Sequence, residues 1–361
     1  MPGISHYFRL MQEMEASDLH LASGVPPIVR VHGTLEKLPQ QELSADDVVS
    51  MIREILTDAE IRRLQEEKDL DFALAYGTPE QGGPWRFRGN AYFQKNGPNL
   101  VMRGIASEVP TLEDLGLPAD LARLVSSHQG LVLTTGQAGS GKTSTLAALI
   151  DIINSAKPLH IITVEDPIEF IHPHKRALIN QRQVGRDVES FNLALRGALR
   201  EDPDVILIGE LRDLETISMA ITAAETGHLV LSTLHTNSAA KTIDRLIDAF
   251  PVDQQAQIRT MLSESLRGVI SQQLIPRKDG QGRVPAVEVL VGNVGVANLI
   301  RDGKTYQIPM AMQTGRKDGM RVMDSAILDL FEKGIISKEE AMARSVNKAP
   351  YRQNENDSPS E

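Results

Sequence analysis

The sequence has no cysteine in 361 residues, which excludes disulfides and thiolate metal sites. No apolar run approaches the roughly 20 residues that cross a bilayer. The segment Met1-Pro2-Gly3-Ile4-Ser5-His6 has neither the basic nor the apolar region of a signal peptide, so a cytosolic protein is expected. A basic excess is also missing. With 38 Lys and Arg against 48 Asp and Glu, the formal charge is −10. That balance argues against a nucleic-acid motor, although a local basic channel could lie within an acidic chain. Internal repeats and long low-complexity segments are absent from the sequence. What remains is 41% hydrophobic and 24% charged, a globular composition long enough for two domains.

The first hundred residues read as a small α+β domain. Ile28 to Gly33 alternates and then turns at glycine, as a half-buried strand does. Ser44, with Asp46 and Asp47 behind it, caps a helix expected from about Val48 to Leu56. Trp85 to Phe93 and Leu100 to Ile105 form two further antiparallel strands in this reading. Glu108 to Leu112 contains Pro110 and reads as a hinge.

Beyond the hinge, strands that are apolar on both parities alternate with helices: 131–133, 161–164, 205–208 and 229–231. Such runs belong in a parallel sheet covered on both faces, with ligands at the carboxyl ends of the strands. Polar groups follow all four: the Gly136 loop, Glu165 with Asp166, Glu210, and His235. From about Val296 the pattern is helical, with an amphipathic segment from Met323 to Phe331. The polar tail from Gln353 is expected to be disordered.

Gly136-Gln137-Ala138-Gly139-Ser140-Gly141-Lys142-Thr143 is a complete P-loop, with Ser144 next on the expected helix. Its glycines let backbone N–H groups turn inward onto ATP phosphates, Lys142 neutralises β- and γ-phosphate charge, and the Thr143 hydroxyl ligates Mg²⁺. Glu210, ending the Asp204–Gly209 strand, is assigned to orient the attacking water; the alternative is a solvated turn carboxylate. Glu165, helped by Asp166 and Glu169, could hold Mg²⁺ through its waters, or the three could form an acidic capping turn. His235 either reports the γ-phosphate state or is a satisfied strand-end histidine. Arg88, Arg103, Arg196 and Arg200 are candidates to reach a nucleotide, with surface ion pairing as the alternative. His20 invites a metal reading, but no second ligand has suitable spacing, and a structural role is expected.

Five stretches resemble the secretion-superfamily ATPases and, within them, the PilT-like pilus retraction motors. They are 16–21, the acidic box 163–169, the Walker B segment 199–213, the histidine box 227–237, and the P-loop itself. The resemblance runs from about Ala16 to Lys348. It implies a RecA-like P-loop core (about 116–290) with C-terminal helices (about 291–350), preceded by a PAS-like domain over 1–107; the whole ATPase domain is 108–361. It also implies a homohexamer in the cytoplasm, peripheral to the inner membrane at the pilus base. There it would hydrolyse ATP with Mg²⁺ and pass force to a platform protein. ATP would sit between the two domains.

Relatives that assemble pili or drive type II secretion usually carry four zinc-binding cysteines, and they tend to have leucine where this chain has Glu225. Both features weigh against a pilus-assembly or secretion ATPase, the nearer rival. A nucleic-acid translocase and a nucleotide-gated scaffold without significant turnover are the others. One departure stands out. Retraction motors carry a C-terminal Ala-Ile-Arg-Asn-Leu-Ile-Arg-Glu stretch; here Asn298, Leu299, Ile300 and Arg301 match it, while Ala297 and Asp302 replace arginine and glutamate. This admits an accessory retraction motor working beside a second retraction ATPase.

Overall fold

The computed structural model describes residues 2–31, 34–77, 85–105 and 108–352. The expected turn at His32 and Gly33 and the polar tail from Gln353 lie outside the described residues. The chain divides into two units. The first is Met1–Glu108 together with Pro167–Ile171, and the second is Val109–Asp166 with His172–Glu361.

The first unit runs α1 (Ile4–Glu13), β1 (Asp18–Ala22), β2 (Ile28–Val31), β3 (Thr34–Lys37), α2 (Ala45–Ile55), α3 (Asp58–Glu67), β4 (Asp69–Tyr76), β5 (Trp85–Gln94) and β6 (Gly97–Ile105). Its sheet is antiparallel, in the order β3-β2-β1-β6-β5-β4. The Ser44 cap starts α2 at Ala45, three residues before the expected start. Its hydroxyl accepts the Asp47 N–H at 3.1 Å, and the Asp47 carboxylate accepts the Ser44 N–H at 2.8 Å. Such a reciprocal cap contributes about 1 kcal/mol. Helix α1, not foreseen from the sequence, buries Ile4, Tyr7, Phe8 and Met11 on one face, and Phe8 stacks on Phe87 at 4.0 Å. The spacing i, i+3, i+4, i+7 is that of a single helical stripe.

The second unit continues with β7 (Gly130–Thr135), α4 (Lys142–Ala156), β8 (His160–Glu165), β9 (Leu178–Gln183), α5 (Phe191–Ala198), β10 (Val205–Ile208), α6 (Leu214–Glu225) and β11 (Leu229–Leu234). Then come α7 (Ala239–Asp248), α8 (Val252–Ser265), β12 (Leu266–Pro276), β13 (Arg283–Val291), α9 (Val294–Arg301), α10 (Ile308–Thr314), α11 (Met323–Glu332), α12 (Lys338–Arg344) and α13 (Ala349–Arg352). The sheet order is β13-β12-β7-β11-β10-β8-β9. All neighbours are parallel except the antiparallel β12–β13 pair. The four strands expected from the sequence are its central four. Every residue of β7, β10 and β11 is buried, with hydrophobic clusters packed on both faces of the sheet. Truncating one of these core leucines or isoleucines to alanine costs ~2–5 kcal/mol, so the strands that aim the site also carry stability.

Candidate functional site

Strand order places four loops side by side. Reading β7-β11-β10-β8 along the sheet, the carboxyl ends carry the P-loop, His235, Glu210 and Glu165. The register is tight, since Ile208 pairs with both Ser232 and Val164. The end of β10 is fixed further by hydroxyls of β11: Ser232 donates to the Ile208 carbonyl and Thr233 to the Gly209 carbonyl, both at 2.7 Å.

The P-loop leaves β7 through Gly136, at φ +147°, where an added Cβ would lie 2.4 Å from the Gln272 carbonyl oxygen. It enters α4 through Gly141, at φ +88°. Only glycine meets both demands. Gln137, Ala138 and Gly139 are exposed along the loop, whereas Ser140 is buried and its hydroxyl has no hydrogen-bond partner among the described residues. Lys142 begins the 15-residue α4 and points its ammonium back into the loop, 3.0 Å from the carbonyl oxygens of Gly136 and Gln137. Thr143 and Ser144 follow on the first helical turn. A helix N-terminus beside a buried lysine makes an anion cradle.

Glu210 has 15% of its side chain exposed and is in contact with the Arg212 guanidinium. Its second oxygen lies 3.2 Å from His235 Nε2. Partial burial lowers the His235 pKa, and the positive charges of Lys142 and Arg212 add to the effect, so the imidazole favours its neutral form. Glu165 is buried, and one carboxylate oxygen accepts hydrogen bonds from Thr163 Oγ1 at 2.7 Å and Gln181 Nε2 at 3.2 Å. Asp166, next to it, is exposed.

The remaining candidates are dispersed. Glu169 belongs to the first unit, where its carboxylate meets Arg88 at 3.3 Å and Arg86 holds the backbone carbonyls of Ile168 and Glu169. Glu169 is thus engaged by a cation in this structure. Arg103 pairs at 2.7 Å with the buried Asp18, whose pKa burial would raise but which the Ser17 hydroxyl and Arg103 hold below the usual value. Arg196 meets Glu215, and Arg200 sits exposed beyond α5. In α9, Ile300 is fully buried and Leu299 packs on the core, while Asn298 and Arg301 face outward and Arg301 reaches Ser263 Oγ at 3.3 Å. His20 lies on β1 with a buried Nε2 that has no hydrogen-bond partner among the described residues, and burial lowers its pKa.

A divalent ion fits this donor set only in a particular way. Among the described residues no group of three or more acidic or histidine side chains could hold a metal alone. Magnesium keeps most of its water and takes one or two protein ligands plus phosphate oxygens, which the Thr143 hydroxyl and the Glu165 carboxylate could supply.

Sequence reading missed Thr163, Gln181, Arg212 and Gln272. Thr163 had a usable signal: it lies two residues before Glu165, on the same strand face. Gln181 and Gln272 sit on β9 and β12, strands without a clear pattern of alternation.

His172 makes a further test possible. Burial holds its pKa down to about 4; the nearby Lys175 adds to this and Asp151 opposes it. The folded chain therefore stays unprotonated at this site where the unfolded chain, titrating near 6.5, takes up a proton. Stability from this group is complete above pH 6.5 and is lost as pH falls toward 4. The loss between pH 7 and pH 5 is about 2 kcal/mol. Urea unfolding of His172→Gln at the two pH values is expected to show an acid loss smaller by that amount than the parent's.

Compared with known proteins, the sequence matches the type II/IV secretion system protein family over residues 7–356. It is 50% identical over 326 residues to the type IV pilus retraction ATPase PilT of Pseudomonas aeruginosa, covering 90% of this chain and 93% of that protein. Identity to the type IV pilus ATPase PilU of the same organism is 39% over 335 residues, with 93% and 86% covered. The fold superposes on a crystal structure of the pilus retraction motor PilT with bound ADP at a TM-score of 0.88. That pair shares 42% identity, with 97% of this chain and 99% of the other covered. The α/β architecture is that of a RecA-like core with an N-terminal domain.

Proposed function

The chain belongs to the type II/IV secretion system protein family, and we propose that it is an ATP-hydrolysing motor that powers type IV pilus retraction. The observation that carries this reading is the convergence of Glu210, His235 and the P-loop at adjacent strand ends. It is supported by half-identity to a retraction ATPase over nearly the whole chain.

In this reading the amides of the loop 136–143 and the Lys142 ammonium grip the triphosphate. Magnesium, when bound, neutralises phosphate charge, with Thr143 and Glu165 on its protein side. Glu210 aims a water at the terminal phosphorus and draws on its proton. Neutral His235 donates from Nε2 to Glu210 and fixes the direction of that carboxylate. Thr163 and Gln181 do the same for Glu165. Asp166 remains free to hold water near the metal. Arg88, Arg103 and Arg196 are tied to carboxylates within the chain, so contact with a nucleotide would require exchange of those pairs.

The ring is proposed to be a homohexamer in the cytoplasm at the pilus base, working on an inner-membrane platform protein. Residues 1–107 would be its PAS-like domain and 108–361 its ATPase domain. Among the described residues no helix is long and apolar enough to cross a membrane. Outward-facing Asn298 and Arg301 are the coupling contacts in this scheme, and Ala297 and Asp302 would tune them. The higher identity to PilT than to PilU favours the principal over the accessory motor.

Deleting the gene is expected to leave surplus surface pili and abolish twitching, with restoration by the parent gene but not by Glu210→Gln. A deletion strain without surface pili would instead identify a pilus-assembly motor.

A further inference from the structure

Gln272 is 2% exposed, on β12, the strand beside β7. Its carboxamide faces the P-loop. Nε2 donates to the Ser140 carbonyl, and Oε1 accepts from the Thr145 hydroxyl at 2.9 Å. The same hydroxyl lies 3.1 Å from the Gly141 carbonyl, in the first turn of α4. Two of the loop glycines are shaped around this residue. A Cβ at Gly136 would strike the Gln272 backbone oxygen at 2.4 Å, and one at Gly141 would come within 3.0 Å of Nε2.

From this geometry we infer that Gln272 is a positioning residue for nucleotide binding, setting the orientation of the Ser140–Gly141 peptide. The reason is covalent. In a trans peptide the carbonyl and the following N–H point in opposite directions. Holding the Ser140 carbonyl against β12 therefore turns the Gly141 N–H away from β12. In a phosphate cradle the loop amides must face the ligand before it arrives, because a peptide that flips freely pays its ordering cost on binding. The Ser140 carbonyl, which can only accept, settles which end of the carboxamide faces it, and the Thr145 hydroxyl is the donor to Oε1 at the other end. Gln272 acts through the loop and touches no reacting atom.

The inference rests on the reading of 136–143 as the phosphate cradle. Binding of ADP to the unaltered protein tests that reading by itself, and the variants below test Gln272. Removal of a net hydrogen bond that favours the bound loop equally in ground and transition states raises KM and spares kcat. Gln272→Met keeps the shape and removes both polar atoms. It is expected to raise the KM for ATP and the Kd for ADP about tenfold, with kcat within about threefold of the parent. Gln272→Glu, which presents an acceptor to an acceptor, is expected to do at least as much.

Thr145→Val leaves Gln272 in place but removes the donor that anchors Oε1, and a several-fold rise in KM is expected. Because Thr145→Val disturbs less of the core, it decides the matter if the Gln272 variants fail to fold. Thermal melting run in parallel separates positioning from mere stability. Folded variants with parental KM and ADP affinity would overturn the proposal, as would affinity losses that only follow the fraction of unfolded protein.

Discussion

Glu210→Gln is expected to bind ATP with near-parental affinity and to hydrolyse it at least about a hundredfold more slowly. Glutamine keeps the volume and one acceptor oxygen, so His235 Nε2, now 3.2 Å away, retains a partner. Lost are the negative charge and the ability to accept the proton of the attacking water. Neither loss touches the loop that grips the phosphates, because Glu210 leaves β10 while the P-loop leaves β7, with β11 between them. Binding and chemistry should therefore separate. Fluorescent-nucleotide titration measures the first and phosphate release the second. Full turnover by the variant would move the catalytic role away from Glu210.

Lys142→Ala is expected to lose both. Lys142 is 9% exposed, and its ammonium reaches the carbonyls of Gly136 and Gln137 at 3.0 Å, poised where polyphosphate charge would enter the loop. Removing one member of a buried, hydrogen-bonded charge pair costs ~2–5 kcal/mol, so ATP affinity should fall about thirtyfold to several thousandfold. Hydrolysis should fall below detection at concentrations that saturate the parent. The two carbonyls also lose their shared donor, and a modestly lower melting temperature without nucleotide is expected. Parental affinity measured by equilibrium dialysis would show that phosphate is held elsewhere.

Much of the site was legible because its chemistry coincides with local pattern. The P-loop needs glycine where φ is positive and lysine at the helix start, and both demands write themselves into consecutive residues. The four central strands, buried on both faces, appear as unbroken apolar runs, and their shared direction places Glu165, Glu210 and His235 together. What lay hidden depends on pairing between distant segments. Gln272 meets Ser140 only because β12 adds to the sheet beside β7, and nothing near position 272 records that register. Arg103 meets Asp18 across β1 and β6, 85 residues apart. Glu169 looked like a neighbour of Glu165 in sequence, but the segment 167–171 packs with the first unit, and its carboxylate goes to Arg88. Helix α1 shows a clear apolar stripe and could have been found from its spacing alone.

The most direct measurement is a crystal structure of the Glu210→Gln protein grown with Mg²⁺ and ATP. Intact triphosphate enclosed by residues 136–143, with the substituted side chain directed at the γ-phosphorus, is the expected outcome. An empty loop, or a nucleotide whose terminal phosphate lies beyond reach of position 210, would contradict it.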